Sequence, residues 1–268
     1  MKLLLRLSTV ASLVLLAVGS EASEMGQELK VEPANFAVLR ARFGTYGYQP
    51  RQAIFLEASG LRLRLPAGGS AIPQTGLYSY FALAGDCEVA LTYELLNVPP
   101  PRTGYGSGVG LAFDVEGGAG RGVIQRVFRP GAGDGCVLQT APGESGTGMK
   151  DVDRFVPAAS RRGRLGLRRV KNELIFLLAD TPDDPLKEIE RLPFTDRTIR
   201  AMRVFADPGG SSTAVDVRVR QIDIRAEEIA GGVPRTEPKQ WSWAWLWLLV
   251  PAIGGVFVFR TWRARRRV

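Results

Sequence analysis

The side chains of this chain that could do chemistry are few, and their types already limit that chemistry. Histidine is absent from all 268 residues, which removes the commonest general base near neutral pH and the commonest metal ligand. Ser-His-Asp and Cys-His catalysis, and zinc sites built on imidazole, are therefore excluded. One pair of carboxylates in a strand-like context is Asp114 and Glu116, separated by Val115. Two residues apart on a strand, they would share a face at about 7 Å. That spacing suits a ligand or cation, or simply a solvated strand end before Gly117. Asp151 with Asp153, and Asp180 with Asp183 and Asp184, offer oxygen atoms to Ca2+, but neither group has the spacing of an established calcium loop, and loop solvation explains both. No other cofactor is implied. Gly104, Gly106 and Gly108 lack the Lys-Ser/Thr ending and the following helix of a phosphate loop.

Aromatic side chains are the remaining candidates for recognition. The six tyrosines all fall between Tyr46 and Tyr105. Tyr46, Tyr48, Tyr78, Tyr80 and Tyr105 could form an exposed stacking platform, with Tyr78 and Tyr105 the best placed, or could be half-buried sheet residues. The five tryptophans lie at or beyond Trp241.

The elements that must carry these residues are strands. From Val31 to Ile229, short β-branched and aromatic runs are punctuated by Gly and Pro clusters. Leu61, Leu63 and Leu65 alternate with Arg62 and Arg64, giving one buried and one wet face. Further strands are predicted over 87–98, 108–116, 123–129, 163–170, 173–179 and 200–206. Lys171 and Asn172 form the turn of a hairpin, where Asn tolerates positive φ. In the last strand, 213–226, Val215, Val217 and Val219 alternate with charged residues, yet Ile222 and Ile224 fall on the opposite parity. One extra residue near Arg220 or Gln221 restores both sets to the core, which predicts a β-bulge. About ten strands and no long helical periodicity imply an all-β fold, a two-sheet antiparallel sandwich of jelly-roll type.

The stretch Gly108-Val109-Gly110-Leu111-Ala112-Phe113, the hairpin from Gly163 through Leu174 and the closing Val215-Asp216-Val217-Arg218-Val219 resemble the concanavalin A-like lectin and glucanase superfamily. The likeness extends to its secreted planctomycete members and covers about residues 50–228. It implies the jelly roll and, since its motifs are packing and turn motifs, says less about function. The retaining glucanases of this superfamily carry Glu-x-Asp-x-x-Glu on one strand. Here Asp114-Val115-Glu116 reverses that order and Ala119 stands where a third carboxylate would fall. The resemblance thus implies a binding module rather than an enzyme.

The two ends of the chain set its expected topology. Met1–Ala22 has cationic residues at Lys2 and Arg6, a short apolar run and small residues at Ser20 and Ala22, the pattern of a signal peptide. Trp241–Phe259 is an apolar run of 19 residues, which as a helix spans about 28 Å, close to a bilayer core. Trp241, Trp243, Trp245 and Trp247 mark one interface, and Arg260, Arg263, Arg265, Arg266 and Arg267 favour a cytoplasmic tail. The expected order is signal peptide 1–22, extracytoplasmic domain 23–230, linker 231–240, transmembrane helix 241–259 and basic tail 260–268. A sorting signal exchanged for a covalent anchor is the alternative for the last two.

The formal net charge of +8 belongs mostly to these ends: without the leader and the tail, 28 basic and 26 acidic residues remain. A nearly neutral domain argues against nucleic acid as a partner. In an exported protein, Cys87 and Cys136 form either a disulfide, worth about 3 to 4 kcal/mol for its loop length, or two buried thiols. The functional expectation is a single-pass, membrane-anchored, extracytoplasmic module of the bacterial cell envelope that binds glycan or protein. An envelope scaffold without a ligand is the alternative, and a glycan-active hydrolase the third reading.

Overall fold

The computed structural model describes residues 25–32, 35–143 and 149–231. The expected signal peptide, most of the linker, the membrane span and the tail lie outside these residues. Among the described residues no helix is long and apolar enough to cross a membrane.

In chain order the strands are β1 (Gln27–Val31), β2 (Phe43–Tyr46), β3 (Ile54–Glu57), β4 (Gly60–Leu65), β5 (Thr75–Ser79), β6 (Phe81–Asn97), β7 (Ser107–Val115) and β8 (Gly120–Arg129). They continue with β9 (Gly133–Pro142), β10 (Val152–Pro157), β11 (Arg162–Val170), β12 (Glu173–Ala179), β13 (Lys187–Pro193), β14 (Ile199–Asp207) and β15 (Val215–Gly231). All pairings are antiparallel. One sheet runs β2-β5-β14-β7-β8-β9-β10. The other runs β3-β4-β15-β6-β11-β12-β13, with β1 beside the later half of β15. A single bridge, Ile199 with Leu83, links the two.

Alternation builds the interior. Val109, Leu111 and Phe113 of β7, Val204 of β14, Val89 and Leu91 of β6 and Leu165 and Leu167 of β11 all enter one core. The two sheets meet there as the two layers of the expected sandwich. In β15 the register shifts between Val219 and Gln221, and Val219, Ile222 and Ile224 are all buried, so the bulge lies where the parity change predicts it. The turn between β11 and β12 differs from expectation in one detail. The left-handed residue is Lys171 (φ 54), not Asn172.

Two short helices were not legible as periodicity. Helix α1 (Phe36–Arg42) is started by Asn35, whose side chain accepts from the Val38 N–H, and carries Arg40 and Arg42 in its last turn. Helix α2 (Pro50–Ala53) is a single turn with proline at its start.

On the outer face of the second sheet the arginines are committed to carboxylates. Arg62 reaches Glu57 and Asp216, Arg218 reaches Glu57 and Glu94, Arg220 also reaches Glu94, and Arg168 reaches Glu88.

Of the two states the sequence leaves open for the cysteines, the structure has the second: Cys87 and Cys136 are buried free thiols. Cys87 lies on β6, paired with Arg169 and Ala226 in the second sheet, whereas Cys136 lies on β9, paired with Arg126 and Val156 in the first. Burial pushes both thiols up to about 12, so neither is a nucleophile near neutral pH.

Candidate functional site

The outer face of the first sheet gathers polar and aromatic residues from six strands. Register places Gln139, Val123, Ala112, Arg203, Tyr78 and Gly44 in one row across β9, β8, β7, β14, β5 and β2. The adjacent row reads Val137, Gln125, Gly110, Phe205, Gly76 and Tyr46. Arg121, Asp114 and Ala201 lie one row further along.

Small residues make this face hollow. A Cβ at Gly110 would stand 2.5 Å from the Phe205 ring, and one at Gly44 would stand 2.4 Å from the Tyr78 ring. Each ring therefore lies down across the neighbouring strand, in space that only glycine leaves open. Phe205, only 1% exposed, clusters with Ala112 and Val123 under Tyr46. Above this floor is a pocket of about 250 Å³ lined in part by Gln74, Arg121, Val123, Gln139, Arg203 and Phe205.

One carboxylate organises the charges. Asp114 accepts from Arg121 Nε at 2.8 Å and from Arg203 Nη2 at 3.1 Å, and Arg203 Nε is 2.8 Å from its other oxygen. Arg203 also lies over the Tyr46 ring, 5.6 Å from its centroid. Burial raises the Tyr46 hydroxyl to about 12, against the opposing charge of Arg203. The buried Tyr46 Oη and Gln125 Nε2 have no hydrogen-bond partner among the described residues. These two atoms flank Phe205 in the same row, each across one glycine. Unpartnered buried polar atoms are uncommon in folded proteins and mark places where a ligand or water is expected.

The residues singled out from sequence divide accordingly. Asp114 lies within this site and Tyr78 borders it, packed edge-on against Tyr46 and Tyr80 with ring centroids 6.4 and 5.4 Å away. Tyr105 stands at the far end of the same face, donating to Asp153 at 2.8 Å beneath the Arg129 guanidinium. Burial and Asp153 together raise its hydroxyl further than burial alone. Tyr78 and Tyr105 are thus half-buried and held by neighbours rather than forming a free platform. Glu116 is exposed on a 3-10 turn and does not line the pocket. Asp153 is taken by Tyr105 and Arg129, and among the described residues no group of three His, Cys, Asp or Glu could hold a metal.

Arg203, Arg121, Gln125, Gln139, Gln74 and Phe205 were not singled out from sequence. The parity of 200–206 puts Arg203 and Phe205 on the face opposite Met202 and Val204. It does not say which strands flank them.

Comparison with known proteins places the fold. The chain is similar to a structure described for endo-acting O-glycanases that prominent members of the human gut microbiota express to initiate mucin breakdown, with 14% identity, coverage of 74% of this chain and 98% of that one, and a TM-score of 0.52. It is also similar to Rv0315, an immunostimulatory antigen and pseudo beta-1,3-glucanase of Mycobacterium tuberculosis, with 12% identity, 69% and 91% coverage and a TM-score of 0.50. A third similar structure is the Ca2+-bound exoplasmic/lumenal domain of VIP36, with 11% identity, 71% and 89% coverage and a TM-score of 0.49. The fold is therefore the concanavalin A-like jelly roll of the lectins and glucanases. No curated protein matches the chain. A family model described as the C domain of DUF1583, a protein of unknown function, matches residues 17–242, and the chain belongs to that family.

Proposed function

We propose that the domain is a glycan-binding module, held on the non-cytoplasmic side of a membrane by the helix expected at 241–259, and that the hollow of the first sheet is its binding site. The observation that carries this reading is the row in which two unpartnered polar atoms, Tyr46 Oη and Gln125 Nε2, flank the Phe205 ring beside a pocket. An apolar floor with a few convergent polar groups is the usual form of a small-ligand site. Two proteins of the same fold are described as an O-glycanase and a pseudo-glucanase, which supports a glycan as the ligand.

Binding is favoured over hydrolysis by the spacing of carboxylates. Glycosidases need two carboxyl groups roughly 5 to 9.5 Å apart. On this face Asp151, just before β10, and Asp153 on it lie three strand steps from Asp114, with backbones at least about 14 Å away, and Asp207 lies six residues along from Asp114, about 20 Å. Asp114 is further clamped by two arginines, and Asp207 accepts from Gln74 Nε2 and the Gly209 N–H.

The test is a glycan array probed with the full chain in detergent, wild type against Tyr46→Phe. The variant removes a buried hydroxyl that lacks a partner, so its melting temperature should hold or rise while binding weakens. Equal binding by the variant, or no glycan bound by the wild type, overturns the reading. Anchoring is tested separately on intact cells: a tag after Val268 should resist external protease while the domain is cut.

A further inference from the structure

A second hollow lies at the edge of the second sheet. Phe55 of β3, 41% exposed, is the one large hydrophobic side chain left open to solvent among the described residues. With Gln49, Gln52, Arg64, Asn97 and Asp216 it lines a hollow of about 410 Å³. Register sets Phe55 beside Arg62, and the next row of that outer face reads Arg64, Asp216 and Asn97 across β4, β15 and β6. Gln52 lies in helix α2, and Gln49 caps its start with φ at 36. Lys171 is the one other described non-glycine residue at positive φ, and it turns a hairpin. Gln49 turns none, and backbone outliers of this kind collect at binding and catalytic sites.

Gln49, Gln52, Phe55, Arg64 and Asn97 are all exposed, so a ligand in the hollow can touch each of them. Both oxygens of Asp216, the register partner of Arg64, accept from Arg62 instead, at 2.8 and 2.6 Å. Arg64 therefore brings a cation without an ion pair among the described residues, and the amides of Gln49, Gln52 and Asn97 have no hydrogen-bond partner among them either. A guanidinium in this state takes a planar carboxylate on two parallel N–H bonds. Primary amides both donate and accept, as hydroxyl groups do. The face of a phenyl ring is partly negative and receives C–H groups. A ring with a C–H face, a rim of hydroxyls and one carboxylate meets all three demands, and that is the pyranose of a uronic acid. We infer that this hollow binds an acidic sugar of the uronic-acid class, its ring on Phe55, its carboxylate on Arg64 and its hydroxyls on the three amides. The site is separate from the hollow of the first sheet and does not rest on it. Val215 and Asp216 open β15 and Gly231 closes it, so the site and the exit toward the expected anchor lie at opposite ends of that strand.

The experiment is calorimetric titration of the full chain in detergent with three probes: digalacturonate, its dimethyl ester and the dipeptide Asp-Asp. Digalacturonate should bind at least tenfold more tightly than either of the others. Arg64→Gln, a change at an exposed side chain, should bring acid and ester to equal affinity without moving the melting temperature. Phe55→Leu, which keeps an apolar side chain but removes the flat face, should weaken acid and ester alike. Tyr46→Phe, in the hollow of the first sheet, should change none of these affinities. Equal binding of acid and ester by the wild type, or binding of neither, overturns the assignment. Asp-Asp bound as tightly as digalacturonate makes the hollow a site for acidic peptides and equally overturns it. A preference for the acid that survives Arg64→Gln, or that is lost in Tyr46→Phe, moves the carboxylate elsewhere and overturns it too.

Discussion

Gly110→Ala tests whether the floor of the site is built from a glycine and a ring laid over it. Gly110 has no positive φ, so alanine is compatible with its backbone. The obstacle is steric: the new Cβ would lie 2.5 Å from Phe205 Cζ and 2.7 Å from Cε2. Ordinary carbon contacts are near 3.5–4.0 Å, so the ring must lift by about 1 Å. Phe205 is 1% exposed and packed on Ala112 and Val123, and overpacking of this kind costs about 1–3 kcal/mol. Reduced unfolded-state entropy returns about 0.4–1 kcal/mol. The net loss is about 1–2 kcal/mol, or about 2–8 °C in melting temperature for a domain of this size. The assay is urea unfolding of the wild type, Gly110→Ala, Phe205→Leu and the double variant. With the ring gone, the alanine should cost nothing or stabilise, so the cycle should show about 1 to 2 kcal/mol of coupling. Additive single effects, or a neutral Gly110→Ala, would refute the account of the floor.

Two further predictions concern the rest of the molecule. Because both thiols are buried and raised to about 12, Cys87 and Cys136 should resist a thiol reagent in the native chain and both react on unfolding without reductant; labelling that needs a reductant would restore the bridge. Burial alone would raise Glu94, but Arg220 and Arg218 overcome it and hold its carboxyl below the usual range, as Arg218 and Arg62 do for Glu57. A depressed folded value stabilises fully above the unfolded one and is lost as pH falls through the folded one. The melting temperature should therefore drop as pH is lowered from about 5 toward 3, and Glu94→Gln should cost about 1–3 °C at pH 7 and flatten that slope. An unchanged slope in the variant would refute the role of Glu94.

What could be read in advance of the fold was the part written in local contrast. β4 and β15 alternate leucine or valine with charge, and their faces and the bulge at Arg220 follow from parity alone. The strands that were missed lack that contrast. β13 (Lys187–Pro193) is an edge strand in which only Leu192 is buried, so it reads as polar loop. β9 (Gly133–Pro142) opens on glycines and runs through a central buried stretch, Gly135–Leu138, with no alternation. Helix α1 is two turns long, too short for a 3.6-residue period to stand out from its flanking strands.

The site was harder because its meaning is carried by residues that are neighbours only in the register. In the sequence, Gly108-Val109-Gly110-Leu111-Ala112 looks like a packing motif with small alternate residues. The structure makes Gly110 the bed of a phenyl ring supplied by β14, and that ring lies in the row between Tyr46 and Gln125, one glycine from each. Asp114 stands out in the sequence as half of an acidic pair, which suggests a free carboxylate. With Arg121 returning beside it on β8 and Arg203 on β14, it becomes an acceptor whose oxygens are already engaged. The same register that pairs Asp114 with two arginines leaves Tyr46 Oη and Gln125 Nε2 without partners among the described residues. The pairing of Asp114 with two arginines and the proposed binding site are therefore two consequences of one arrangement of strands.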